Sequence, residues 1–148
     1  TFMEQLPYLY GQLLKASDEL HALYCKVVRN GDFPPQLIGG SMFMAANEAP
    51  VRTLHFLAQR IMPYYTWAKV YRYKGVQDKG KESWRAGWLI LLLENNANKL
   101  RACWTPETPL NDEEKVQLFI GYLAEFPKRK EASDDLKIEE TEEDNSDE

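Results

Sequence analysis

The sequence predicts an all-α protein, a bundle of about five helices followed by a disordered acidic C-terminal tail. Three observations predict it. Apolar residues return at three- and four-residue intervals along most of the first 130 positions, and no alternating strand pattern of useful length interrupts them. The last eighteen residues, EASDDLKIEETEEDNSDE, carry only Leu136 and Ile138 as sizeable apolar groups and cannot offset their own ordering entropy.

The first helix is expected over 6–29. Leu6, Leu9, Leu13, Leu20, Tyr24, Val27 and Val28 recur near helical spacing, Leu14, Leu23 and Cys25 widen the stripe, and Asn30-Gly31 supplies the stop. Asp32-Phe33-Pro34-Pro35 reads as a rigid loop, because each proline fixes φ and removes a donor. Gly39-Gly40-Ser41 leads into a short helix over 42–47, with Ser41 as its expected N-cap. Pro50 suits the start of a third helix, 51–61, whose inward face is Val51, Leu54, Leu57, Ala58 and Ile61. Pro63 is expected to interrupt or kink the run, which continues over 64–73.

KGVQDKG, 74–80, is a polar loop. The most apolar helix follows over 83–103, with Trp84, Trp88, Leu91 and Leu92 inward and Asn95, Asn96 and Asn98 on its polar side. Trp104-Thr105-Pro106 ends it. The last helix begins at Asn111, which forms a capping-box pattern with Glu114, while Asp112 and Glu113 suit the helix dipole. Its expected buried stripe is Val116, Phe119, Ile120 and Leu123, and Pro127 ends it.

The 148 residues, 44% hydrophobic and 28% charged, fit one helical domain at 1–130 with the tail at 131–148. A domain of this size buries about two-thirds of its unfolded surface, so it needs no metal or disulfide staple. A membrane span is excluded, because the longest apolar run, 86–93, falls well short of about 20 residues. Cys25 and Cys103 form no ligand cluster and read as reduced thiols. With no charged-then-apolar leader, the expected location is cytoplasmic.

Charge is divided unevenly. The formal net charge is −5, yet 131–148 holds ten acidic residues and one Lys, a local −9, which leaves +4 on the rest. Between Arg52 and Arg101 ten basic residues face only Asp78, Glu82 and Glu94, giving +7. A mildly basic body with a strongly basic middle suits a polyanion, and the tail suits either solubility or competition with that polyanion.

Catalytic patterns are missing from the sequence. His21 and His55 have no second ligand at metal spacing, and H-E-x-x-H, P-loop and G-x-S-x-G motifs do not occur. His21 lies four residues before Cys25, but no third group or oxyanion site accompanies the pair. Gly39-Gly40 is slight as a phosphate cradle, and Asp18-Glu19 reads as a solvated face. The expectation is a protein without enzymatic activity and without a cofactor.

The basic middle has a usable geometry. Arg52, His55 and Gln59 share one helical face with Arg60 beside it, and Lys81 and Arg85 are i, i+4 neighbours. Tyr64, Tyr65, Trp67, Tyr71 and Tyr73 interleave with Lys69, Arg72 and Lys74, a mixture able to stack bases and neutralise phosphate. A second reading treats the aromatic surface as a protein-interaction module whose basic residues are incidental. A third, a small enzyme subunit, uses Cys25 and His21.

In order of features, PYLYGQLLKASDELHALYC, APVRTLHFLAQRIMPYYTWAKVY and LNDEEKVQLFIGYLAEFPKRK resemble the small subunit of type I-C CRISPR Cascade complexes, itself similar to the C-terminal helical domain of the large subunit. The family's Y/W-L-x-G opening, Pro-led L-x-x-L-A-Q helix and E-E-x-x-x-F-x-x-G-Y ending fall at 8–11, 50–59 and 113–122. PPQLIGGSMFMAANEAP departs from the family's Ser/Ala-rich segment, and the acidic tail is not a family feature. The resemblance implies a non-catalytic, cofactor-free subunit that supports the guide–target duplex and the displaced DNA strand by backbone contact. It also implies partners, namely the backbone and large subunits, the guide RNA–DNA duplex and further copies of itself. By matched position Arg52 and Arg60 lead as nucleic-acid-binding residues, followed by Lys69, Arg72, Lys81 and Arg85.

Overall fold

The longest apolar stripe in the chain becomes a central helix. The computed structural model describes residues 6–31, 37–74 and 81–127. The expected tail, the 32–35 loop and nearly all of the 74–80 loop lie outside the described residues. Among the described residues six helices form: α1 (Leu6–Val28), α2 (Ile38–Ser41), α3 (Phe43–Glu48), α4 (Pro50–Tyr71), α5 (Lys81–Leu100) and α6 (Asp112–Leu123). The protein is an all-α bundle, with no strand among the described residues.

Helix α1 packs against α6, α5, α2 and α4. It is buried around much of its circumference, at Leu6, Tyr10, Leu13, Leu14, Ala16, Leu20 and Leu23, as expected of a helix with neighbours on several sides. Truncating a fully buried leucine such as Leu14 or Leu20 to Ala costs about 2–5 kcal/mol. At its end Asn30 and Gly31 both take positive φ, and the Gly31 N–H turns back to the Cys25 carbonyl at 2.9 Å, so the expected stop is the observed one.

Polar ties fix the neighbours of α1. The Tyr10 hydroxyl donates to the Pro50 carbonyl at 2.5 Å, anchoring the start of α4. Asn96 of α5 donates to the Leu9 carbonyl at 2.9 Å. Asp18 accepts from the N–H groups of Gly39 (2.6 Å) and Gly40 (3.2 Å) and from the Tyr122 hydroxyl (2.5 Å). It thereby ties α2 and α6 to α1, and is half-buried rather than part of a solvated face.

Several helix expectations are corrected. Met42, not Ser41, precedes α3; Ser41 ends α2, and its hydroxyl donates back to the Ile38 carbonyl at 2.8 Å. Pro63 does not interrupt α4, which runs unbroken through it. Pro63 is exposed, so water can reach the backbone whose internal partner the proline ring removes. In α5 the core face is Ala86, Leu89, Ile90, Leu93 and Leu100 together with Asn96, while Leu91 is exposed and Trp84, Trp88 and Leu92 are half-buried.

The largest correction is in α6. The capping box is present, with Asn111 Oδ1 accepting from the Glu114 N–H at 2.8 Å and the Glu114 carboxylate accepting from the Asn111 N–H at 2.9 Å. The expected buried stripe is exposed instead, with Val116, Phe119, Ile120 and Leu123 between 51% and 57% accessible. Leu118 and Gly121 are the buried residues. A Cβ at Gly121 would stand 2.1 Å from the Tyr8 carbonyl oxygen, and one at Gly11 2.1 Å from that of Leu118. Two glycines thus let α1 and α6 meet backbone to backbone, while Phe119 and Tyr122 pack on Phe43 of α3 and Val116, Ile120 and Leu123 face outward.

Candidate nucleic-acid interface

Helices α4 and α5 carry the basic middle. Their pairings run in opposite order, Arg72 lying near Gly87 and Tyr65 near Glu94, so the two helices are antiparallel. The end of α4 therefore lies beside the start of α5, which brings Lys69, Arg72, Lys81 and Arg85 toward that end while Arg52, Arg60, Lys99 and Arg101 stay away from it.

The six basic residues named from sequence occupy three settings. Arg52 is exposed at the start of α4, with its Nη2 4.0 Å from Glu107, and Arg60 is exposed near mid-helix. Lys69 lies 3.8 Å from Glu94 and 5.4 Å from the Tyr65 ring centre, so part of its charge is already met. Arg85 is turned inward to Glu19 at 3.5 Å, with its guanidinium 6.0 Å from the Trp84 ring. Lys81 is exposed as the first residue of α5. Among the described residues no carboxylate pairs with Arg60, Arg72 or Lys81.

These residues do not form one stripe. At about 100° per residue Arg60 and Lys69 lie half a turn apart around α4, and Arg52 is about 30 Å of helix from Arg72. What the fold does bring together is a cleft of about 330 Å³ at the joined helix ends, lined by Arg72, Tyr73, Ser83, Trp84, Gly87, Trp88 and Leu91. The Arg72 guanidinium sits 4.9 Å from the Tyr73 ring centre, and its Nε is buried without a hydrogen-bond partner among the described residues. Tyr73 is 76% exposed, and Trp88 packs on Phe126 at 4.9 Å.

The sequence predicts Trp84 and Trp88 as inward residues; Trp88 does pack against the core, and both also wall the cleft, which the sequence does not show. The usable signal was the small residue Gly87 one turn before Leu91, which opens space between the rings. Of the carboxylates on α5, Glu82 beside Ser83 pairs with Lys26 at 2.9 Å, and Glu94, about three turns further along, accepts from the Tyr65 hydroxyl; that bond, then burial, holds the phenol above its usual pKa range.

The other candidates are placed as follows. Gly39 and Gly40 give their N–H groups to Asp18, so no phosphate cradle is open there. Cys25 is fully buried, and His21 stacks on Tyr64 with ring centres 4.5 Å apart. No group of His, Cys, Asp and Glu among the described residues could hold a metal, and no described helix is long and apolar enough to cross a membrane. No family model matches the chain, and neither a curated protein nor a solved structure matches it.

Proposed function

We propose that this chain is a non-catalytic small subunit of a CRISPR RNA-guided DNA surveillance complex (Cascade), supporting the guide–target duplex and the displaced strand by sequence-independent contacts. The observation that carries the reading is the cleft between α4 and α5, where Arg72, with no carboxylate partner among the described residues, lies among Tyr73, Trp84 and Trp88. Aromatic faces stack bases of any identity, and cations beside them neutralise phosphate and release counterions. In a guided complex base pairing reads the sequence and strand exchange is nearly balanced, so modest contacts of this kind tip it. The resemblance along 6–130 supports the same reading. Its partners are then the backbone and large subunits, the guide–target duplex and the displaced strand, in the cytoplasm.

Expression with the neighbouring genes tests the assembly, the expected result being a complex that contains a short, uniform RNA. A chain recovered without RNA and without partners would sink the reading. Binding of a labelled single strand tests the cleft. Trp84→Ala removes a stacking surface of about 1–3 kcal/mol per base and should weaken binding about fivefold or more. Arg72→Gln should lower the slope of log affinity against log salt by about 0.7.

The exposed apolar stripe of α6 favours a second reading, a helical protein-interaction module without nucleic-acid binding. A chain that shows no salt-dependent binding of a single strand, with Arg72→Gln and charge reversal at Arg52 and Arg60 both indistinguishable from wild type, decides for it.

A further inference from the structure

The chain leaves the bundle beside the cleft that holds Arg72. Phe126 and Pro127 end the described chain, and the Phe126 ring packs on Trp88, a wall of that cleft, with centres 4.9 Å apart. The exit is held from α1 as well, since the Lys15 ammonium stands 5.1 Å from the Phe126 ring centre and donates to the Ala124 carbonyl. Twenty-one residues follow Pro127, and those from 131 onward carry a local charge of −9. Within them DDLKIEE, 134–140, sets Leu136 and Ile138, the sizeable apolar side chains of the tail, between two pairs of carboxylates.

We infer that residues 134–140 of the same molecule lie across this cleft, Leu136 and Ile138 against Trp84 and Leu91 and the flanking carboxylates against Arg72 and Lys81. Reach allows it. Asp134 is seven residues beyond Pro127, up to about 25 Å of extended chain. The cleft is narrower than that, because a Cβ on Gly87, the neighbour of Trp88, would stand 3.7 Å from the Arg72 Cβ. Charge selects it. Arg72 and Lys81 have no carboxylate partner among the described residues, and nearby Glu82 is taken by Lys26. The larger groove between α4 and α5, about 400 Å³, is a poor seat for an acidic segment, since Glu94 lines it and no cation does. A short tether holds the segment near its site at about millimolar effective concentration, so a contact weak in itself can form. One consequence rests on the proposed function: a nucleic-acid strand must displace the tail, and its apparent affinity falls by the fraction of molecules with an open cleft. The contact itself stands without that reading.

A nitroxide on Lys137→Cys in the full chain tests it, with Cys103→Ser so that only the tail takes the label, Cys25 being fully buried. Indole N–H signals are read by NMR, and each variant is checked for native helicity and melting. The Trp84 and Trp88 signals are expected to vanish on labelling, while that of Trp104, beyond the other end of α5, survives. Both should return in 1 M salt, where screening acts within about 3 Å, and in part with Arg72→Gln. Equal signals at all three rings overturn the inference. A loss unchanged by salt and by Arg72→Gln also overturns it, because tethering alone would then account for the proximity. So does a loss seen when label and isotope are on different molecules, which would mean contact between copies. No strand is present in these samples, so a tail that stays away leaves the proposed function standing, and a chain that binds no strand leaves this contact standing.

Discussion

Asp18 is a single carboxylate holding three helices. It accepts two backbone N–H groups at the start of α2 and the Tyr122 hydroxyl of α6, all from a position on α1. Hydrogen bonds to a charged acceptor contribute about 1.5–3 kcal/mol, so Asp18→Ala is expected to lower unfolding free energy by roughly that amount in denaturant titrations. Tyr122→Phe removes one of the three and should cost about 1.5 kcal/mol, the low end of that range, because the Gly40 N–H still donates to the same oxygen. The tyrosines also set an alkaline limit. Burial lifts the Tyr122 hydroxyl well above its ordinary value, with Asp18 adding to the effect, and burial alone lifts Tyr10. A group whose folded pKa is raised keeps its stabilisation below the unfolded value, about 10 for Tyr, and loses it as pH rises beyond that toward the folded value. Stability is therefore expected to hold steady with respect to these groups between pH 7 and 9 and to fall above pH 10. Tyr122→Phe should flatten part of that fall.

Helix α6 shows what periodicity can and cannot reveal. Its start is legible because capping is local: Asn111 and Glu114 satisfy each other across three residues whatever the helix packs on. Asn111→Ala should cost about 1 kcal/mol. Its buried face is not legible from side-chain size, because the contact with α1 is made by Gly11 and Gly121, which contribute no hydrophobic signal. Gly121→Ala places a methyl against the Tyr8 backbone, which cannot yield as a flexible side chain would. An overpacking cost of about 1–3 kcal/mol or more is expected in thermal or denaturant melts. A Gly121→Ala protein as stable as wild type would refute the close approach. In helix α5 the expected inward set is met in part, Trp88 and Leu92 packing against the core while Leu91 is exposed. Its widest aromatic residues suggested one face, while Ala86, Leu89, Ile90 and Leu93, smaller and better placed against α1, occupy the core.

At the scale of the whole molecule the charge division sets how the surface meets a polyanion. Removing 131–148 changes the formal net charge from −5 to +4. Single-strand affinity of the shortened chain is expected to rise at low salt, and the gain should vanish near 1 M, where screening acts within about 3 Å. Equal affinity of both forms at low salt would show that the tail does not compete for the basic body.

Helix content, the stop of α1 at Asn30-Gly31, the start of α6 at Asn111 and the net charge of each segment follow from the sequence by itself, because propensity, capping and composition act over a few neighbouring residues. The six basic residues were legible as residues for the same reason. Their grouping was decided only by tertiary structure. Antiparallel packing of α4 and α5 sets Arg72 beside Trp84 and leaves Arg52 and Arg60 apart, and packing of α5 on α1 turns Arg85 toward Glu19. Which face of α6 meets α1 was likewise decided there, since the close approach of two backbones at Gly11 and Gly121 is a property of the pair of helices and of neither alone.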